Sequence, residues 1–281
     1  MSPAAATTLF AVLGKPVAGN PTQEMVEAAF AAAGLHARYV SLEVEPDDLA
    51  EAVRGVRALG FAGFNLTVPH KVAVIPLLDR LTPGAEASGA VNCVKREGDE
   101  LVGDNTDGKG FLDSLRTLLD PRGASAVVLG AGGAARAIAT ELALAGAARI
   151  TIVNRSPERG AEVAAAVGKA TGVPCTHEQL TEQWPVPADA DVVVQATTVG
   201  MGDGDARLPL QWSRAPGIAA DVVFSPPGTA FLRDAREHGY RTLDGLGMLV
   251  EQAVIGLRWW TGVEPDRVVM RGALERELGL A

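Results

Sequence analysis

The sequence predicts an α/β protein of two domains built on mostly parallel sheets. Hydrophobic runs of strand length alternate with helical stretches for most of the chain, the pattern of parallel strands joined by crossover helices. The alternation restarts after Asp120–Ala124, where Pro-Arg-Gly interrupts it and divides the chain into two series. At 281 residues, 47% hydrophobic and 21% charged, the chain can fill two cores and is too apolar for a disordered one.

In the first series, Leu9–Leu13 reads as a strand and Pro21–Ala33 as a helix closed by Gly34, a residue suited to the left-handed turn after a helix. Ala37–Val44 is a strand, Pro46–Leu59 a helix ending at Gly60, and Phe61–Val68 a third strand. A short helix is expected after Pro69, since proline suits a first helical turn. Ala90–Arg96 and Glu100–Val102 read as a hairpin around Glu97-Gly98-Asp99, and Thr106–Leu119 as a helix stopping before Asp120-Pro121. The second series begins with strand Ala126–Leu129 and helix Gly132–Ala145, then strand Arg149–Val153 and helix Pro157–Val167. Val173–Thr176 is a short strand, Asp191–Ala196 and Ile218–Phe224 are buried-type strands, and Thr229–His238 is a helix. The tail, Gly245–Trp260 and Pro265–Leu280, is helical and has no strand partner of its own, so it is expected to return to the first domain. The expected domains are 1–120 plus 245–281, and 121–244.

Charge and composition exclude several classes. The balance of 25 basic and 34 acidic side chains, net −9, argues against a general nucleic-acid binder, which needs basic patches to release counterions. No apolar run reaches a membrane span, and Met1 to Phe10 lacks the basic and apolar regions of a leader. Cys93 and Cys175 form no disulfide framework and His36, His70, His177 and His238 no metal-ligating pair, so a cytoplasmic protein with reduced thiols and no metal is expected. Of the basic residues 20 are Arg and five are Lys: Lys15, Lys71, Lys95, Lys109 and Lys169. Chemistry that needs an ammonium must choose among those five.

The strongest local pattern is Val127 to Ala137, a strand, a glycine turn and a helix start. Gly130, Gly132 and Ala135 satisfy G-x-G-x-x-A: the first glycine allows the tight turn, the second lets backbone approach a pyrophosphate, and the small third residue lets helix and strand pack closely. The helix N-terminus offers unpaired N–H groups to the phosphates. About 20 residues on, where an NAD-binding chain carries Asp or Glu for the ribose hydroxyls, stand Asn154-Arg155-Ser156, with Arg159 following. A guanidinium fork suits a 2′-phosphate, so NADP is expected over NAD.

Polar clusters in the first series complete the reading. Asn65-Leu66-Thr67-Val68-Pro69-His70-Lys71 lies at a strand end and helix start, where ligands collect in open α/β sheets. Gly89-Ala90-Val91-Asn92 places an amide in another strand, and Asp104-Asn105-Thr106-Asp107-Gly108 a carboxylate at a loop-to-helix junction. Singly, each has a structural explanation: Asn92 could satisfy backbone groups, Asp107 could charge a helix start, and Lys71 could be a solvated residue. Together with the glycine turn, the Asn-Arg-Ser segment and Asp244-Gly-Leu-Gly-Met-Leu-Val-Glu-Gln-Ala253, they resemble the shikimate dehydrogenase family: six motifs in order, spanning nearly the whole chain.

That resemblance implies a substrate domain followed by a Rossmann-type NADP domain, and reversible NADP-dependent reduction of 3-dehydroshikimate to shikimate. It implies catalytic roles for Lys71 and Asp107, and substrate contacts at Thr67, Asn92, Asp107 and Gln252. Cofactor contacts are implied at Gly130, Ala131, Gly132, Gly133, Ala134, Asn154, Arg155, Ser156, Arg159, Thr197, Val222 and Gly245. The residue types suit the reaction: hydride delivery to a ring ketone creates an alkoxide, which Lys71 can stabilise and protonate while Asp107 orients Lys71 and a substrate hydroxyl. His70 is adjacent, but Lys71 is the position that matches the family, and helical neighbours point in different directions, so the two are not expected to reach one atom. Three stretches depart from the family. The serine pair expected to hold the substrate carboxylate is Asn20 and Thr22, an expected tyrosine is Phe224, and Gln195-Ala196-Thr197 stands for Asn-Ala-Thr. Quinate, an aminoshikimate or another cyclic polyol acid is therefore the alternative substrate, and a non-catalytic NADP-binding sensor the alternative of another class. The expected partner is a small cyclic hydroxy acid bound by a monomer or homodimer, with no nucleic acid and no membrane.

Overall fold

The computed structural model describes residues 7–281; of the N-terminal stretch read above, residues 1–6 lie outside the described residues. The chain folds as two compact units. One runs to Thr106 and resumes over Gln252–Ala281, and the other is Asp107–Glu251.

The first unit opens with β1 (Thr8–Gly14), α1 (Thr22–Ala32), β2 (Ala37–Glu43), a 3-10 turn at Pro46–Asp48, α2 (Leu49–Ala58) and β3 (Gly63–Leu66). Then come α3 (His70–Ala73), β4 (Arg80–Leu81), α4 (Pro83–Ser88), β5 (Cys93–Glu97) and β6 (Glu100–Asp104). Its sheet has the order β2-β1-β3-β5-β6-β4, with β1 parallel to β2 and β3, and β5 antiparallel to β3 and β6. The third strand is shorter than Phe61–Val68 because the chain turns after Leu66: Thr67 N still bonds Leu13 O, but Val68 turns its carbonyl to Lys15 N and Pro69 has no N–H to offer. Ala11, Leu13, Phe64, Leu66 and Val53 share the core under α2. Phe10 lies tilted against Phe30 of α1 at 5.4 Å and stacks on Trp260 of the tail at 4.9 Å between ring centroids.

The second unit begins with α5 (Asp107–Leu115), which ends before Leu119 because Thr117 and Leu118 bond three residues back, tightening the chain ahead of Pro121. Phe111, Leu112 and Leu115 pack with Val128, Ile138 and Leu142, so this helix joins the second unit, where the composition break at Asp120–Ala124 had suggested the first. Next are β7 (Ser125–Leu129), α6 (Gly133–Leu144), β8 (Arg149–Asn154), α7 (Pro157–Thr171) and β9 (Cys175–Gln179). That last strand starts later than Val173–Thr176, since Pro174 cannot donate and pairing begins at Cys175 with Ile150. Then follow β10 (Trp184–Pro185), β11 (Val192–Gln195), β12 (Leu210–Gln211), β13 (Ile218–Asp221), α8 (Ala230–Glu237) and β14 (Arg241–Leu243). The sheet order is β14-β13-β11-β7-β8-β9 and every pair is parallel. Alternate residues of β7 enter different cores, Ala126 and Val128 one, Val127 and Leu129 the other, as a sheet covered on both faces requires. Helix α9 (Gly245–Thr261) continues the chain from the second unit into the first, and α10 (Arg267–Glu277) packs on α1.

Candidate active site

In the first unit the strand ends converge on one polar cluster. Asn92, between α4 and β5, is buried, and its Oδ1 accepts from Thr106 N at 2.7 Å. Its Nδ2 donates to Thr106 Oγ1 at 3.0 Å and to Gln252 Oε1 at 3.3 Å, and the Thr106 hydroxyl donates to Gln252 Oε1 at 3.3 Å. The predicted pair Asn92 and Gln252, 160 residues apart, is thus joined both directly and through Thr106. A second layer braces it: Tyr39 Oη donates to Asn65 Oδ1 at 2.7 Å, and Asn65 Nδ2 to Asn92 O at 2.9 Å. Sequence reasoning had quoted Thr106 and Asn65 within motifs without giving them a place in the site; their positions between two selected residues were the available signal. Tyr39 carried none, being one more residue of an apolar strand.

Lys71 lies in α3, one turn after β3, and its carbonyl accepts from Val91 N at 2.8 Å, beside Asn92. Thr67 opens the same turn and lies against Gly14, where a Cβ would overlap its methyl group. His70 is buried and its Nε2 meets Val44 O at 2.8 Å, so this histidine ties the turn to the strand-end segment 43–45. Asn20 and Thr22 are neighbours: Thr22 N donates to Asn20 Oδ1 at 3.0 Å, which occupies the amide oxygen and leaves its NH2 group as donor. Lys15, adjacent in sequence, bonds Glu43 at 2.6 Å and Glu45 at 2.8 Å. Of the other lysines, Lys95 is half-buried, 3.5 Å from Glu97 and 5.8 Å above the Trp259 ring.

In the second unit the glycine turn follows β7. Gly130 has φ +113° and a Cβ there would stand 2.8 Å from Ala196 O, so both backbone conformation and space demand glycine. Gly132 and Gly133 have no atom within 4 Å of a built Cβ, and no side chain caps the N-terminus of α6. The turn therefore presents open backbone N–H groups at the sheet's switch point between β7 and β11, a cradle of the kind a pyrophosphate fills. Ala131 is half-buried against the core, and Ala134 lies in the first turn of the helix. Ser156 caps α7 by accepting from Arg159 N at 3.3 Å, and Asn154 Nδ2 bonds Ser156 O at 3.0 Å. Arg155 and Arg159 are exposed beside that cap. Gln195 takes Thr197 N at 2.5 Å and donates to Val199 O at 2.7 Å, so the glutamine shapes the loop that brings Thr197 to Gly130.

At the end of β13, Asp221 is 2% exposed and its carboxyl is pushed up to about 6 by burial, partly offset by the Thr229 hydroxyl at 2.5 Å and Val223 N at 2.9 Å. It pins the loop carrying Val222 and Phe224. Val222 abuts Gly245, where a Cβ would stand 2.7 Å from its carbonyl oxygen. Phe224 is half-buried. Asp107 is buried at the first turn of α5 and follows Thr106 directly, so the carboxylate motif spans the junction between the units. No group of three or more His, Cys, Asp or Glu among the described residues is placed to hold a metal ion, and no helix there is long and apolar enough to cross a membrane.

Known proteins match nearly the whole chain. Residues 12–94 match the shikimate dehydrogenase substrate binding domain, 115–200 the shikimate / quinate 5-dehydrogenase model and 245–275 the shikimate 5'-dehydrogenase C-terminal domain. The shikimate dehydrogenase (NADP(+)) of Geobacter sulfurreducens is 44% identical over 96% of this chain and 96% of its own length. Among solved structures, the ligand-free 5-ketofructose reductase of Gluconobacter sp. strain CHM43 is 45% identical with TM-score 0.92, covering 97% of this chain and 99% of that one. The Thermus thermophilus shikimate 5-dehydrogenase in complex with NADP(H) and shikimate is 36% identical with TM-score 0.85, covering 97% and 100%.

Proposed function

The chain belongs to the shikimate dehydrogenase family, and on that premise we propose that it is an NADP-dependent oxidoreductase that reversibly reduces 3-dehydroshikimate to shikimate. The observation that carries this reading is the Asn92–Thr106–Gln252 cluster beside the Lys71 turn: a lysine with neutral amides and hydroxyls, the groups that grip ring hydroxyls and protonate an alkoxide. The domain read as the substrate and catalytic part supplies Asn20, Thr22, Thr67, Lys71, Asn92 and Gln252.

The glycine turn fits the diphosphate of NADP, because its N–H groups are open and it has no Cβ to fill the space. Ala131 to Ala134 would hold the diphosphate, and Arg155 and Arg159, flanking the Ser156 cap, the 2′-phosphate. Thr197, Val222 and Gly245 would supply the remaining cofactor contacts. When bound, the reduced cofactor supplies a hydride. Lys71 then donates a proton to the carbonyl oxygen as negative charge gathers there, and Asp107 holds the ammonium and a substrate hydroxyl in line. Asn92, Thr67 and Gln252 fix the ring hydroxyls, and Asn20 and Thr22 donate to the carboxylate. A cytoplasmic setting suits the free thiols of Cys93 and Cys175.

A second reading is favoured by the 5-ketofructose reductase, similar over the full chain, and by Asn20 and Thr22 in place of serines: the same hydride chemistry on an uncharged polyhydroxylated ketone. Initial rates with shikimate, quinate and related cyclic hydroxy acids, each with NADP+ and NAD+, test the assignment. The expected result is the highest kcat/KM for shikimate with NADP+; a clear preference for NAD+ or for quinate would refute it.

A further inference from the structure

Helix α7 starts just past the strand end that carries Arg155, and its first turn holds a carboxylate as well as a guanidinium. Ser156 is the cap, Glu158 stands at the second helical position and Arg159 at the third. The Ser156 hydroxyl donates to Glu158 Oε2 at 2.8 Å, while its oxygen accepts from Arg159 N at 3.3 Å. A serine hydroxyl has one proton to give, so in this arrangement the cap offers only lone pairs to any other group. The other acids close by in the chain are engaged elsewhere. Glu162 of the same helix pairs with Arg136 at 3.0 Å, and Glu178 of β9 accepts from Trp184 Nε1 at 2.9 Å. Among the described residues no carboxylate forms an ion pair with Arg155 or Arg159, and Glu158 itself turns to the serine instead. Its own backbone N–H and then the Ser156 hydroxyl hold the Glu158 carboxyl below its ordinary value, so it is charged at neutrality.

A 2′-phosphate would bring roughly two negative charges to this corner. Two guanidiniums and the helix start attract it, and one fixed carboxylate opposes it. It gains the Ser156 proton only when Glu158 gives that hydrogen bond up. The 2′-hydroxyl of NAD is neutral and escapes both effects. We propose that Glu158 is a specificity-determining residue that holds the preference for NADP over NAD down, by occupying the Ser156 hydroxyl and by repelling the 2′-phosphate that Arg155 and Arg159 attract. The proposal rests on the cofactor reading above.

The test is calorimetric titration of the full chain with NADP+ and with NAD+, for wild type, Glu158→Gln and Glu158→Ala. Glu158→Gln removes the charge and keeps an acceptor for the serine; Glu158→Ala removes both. Wild type is expected to bind NADP+ more tightly than NAD+. Each variant should tighten NADP+ about 3- to 10-fold, the size of one like charge removed at short range, while NAD+ stays within about twofold and so reports that the fold is intact. Salt at about 0.5 M should shrink that gain. A preference for NADP+ that neither variant raises overturns the role of Glu158, as does an equal gain for both cofactors. A wild-type protein with no preference for NADP+, or one that binds neither cofactor, overturns the 2′-phosphate reading and this proposal with it.

Discussion

Arg155 is the residue on which cofactor choice turns. It occupies the strand-end position where a carboxylate would grip the ribose hydroxyls, stands exposed, and is followed by a capped helix start. Arg155→Asp is expected to weaken NADP+ about 10- to 100-fold, which is about 1.4 to 2.8 kcal/mol, and to weaken NAD+ far less. Titration of both cofactors checks this, and an equal loss for both would show that the arginine does not read the 2′-phosphate. Thr106 shows how single residues escape a reading by type. Its hydroxyl sits between Asn92 and Gln252 in a buried triangle, yet in sequence it is one neutral residue in a motif dominated by its carboxylates. Thr106→Val keeps the shape and loses the hydroxyl. It should cost about 1 to 2 kcal/mol in denaturant melts, the usual cost of leaving a buried amide donor short of a partner, and raise KM for shikimate. A KM equal to wild type would free Asn92 and Gln252 from dependence on Thr106.

Among the elements, those with a strong period or punctuation were legible. Strands β1, β7 and β11 are apolar runs, and helix α1 has proline at its start and glycine after its end, whereas α7 runs through Gly168 to Thr171, four residues past the expected Val167. The two-residue strands β4, β10 and β12 and the short strand β14 were not, since a pair of residues carries no period and such strands exist only through their partners. The loop after β13 illustrates how an element end can depend on a single buried charge. Asp221 holds Val223 and Thr229, and burial makes its folded carboxyl prefer a proton up to about pH 6, against an ordinary value of 3.8. A carboxyl with a raised folded pKa favours the fold when protonated. That contribution is complete below the unfolded pKa and is lost as pH climbs to about 6. Asp221→Asn should therefore gain stability relative to wild type between about pH 4 and pH 6, reaching about 1 to 3 kcal/mol. Melts of both proteins across that range check it, and a constant difference would remove the titration from the account.

For the whole molecule, the two α/β series were visible in the alternation of strands and helices, but the junction was not. Pro121-Arg122-Gly123 is the conspicuous break in composition, whereas the chain passes between units at Thr106–Asp107, inside a motif, because the apolar face of α5 belongs to the core of the second unit. A folded protein that binds NADP should be stabilised by it: about 2.7 kcal/mol at 100 times Kd, or several degrees of melting temperature, with a smaller shift from NAD+ at equal concentration. Equal shifts would contradict the cofactor assignment. The net charge of −9 argues against a general polyanion binder without arguing against a small anionic substrate, because a lysine and a few neutral donors suffice locally. Of the five lysines, Lys15 is enclosed by two glutamates and Lys95 lies over Trp259, while Lys71 stands at a strand end beside Asn92. The central claim is that Lys71 is the proton donor of the reaction. The direct measurement is kcat and KM for shikimate oxidation with NADP+ in Lys71→Ala and Lys71→Arg, alongside NADP+ affinity. Lys71→Ala should lose about 10²- to 10⁴-fold in kcat with NADP+ binding intact, and Lys71→Arg should not restore it, since a guanidinium does not release its proton. A raised KM with kcat unchanged would contradict that role.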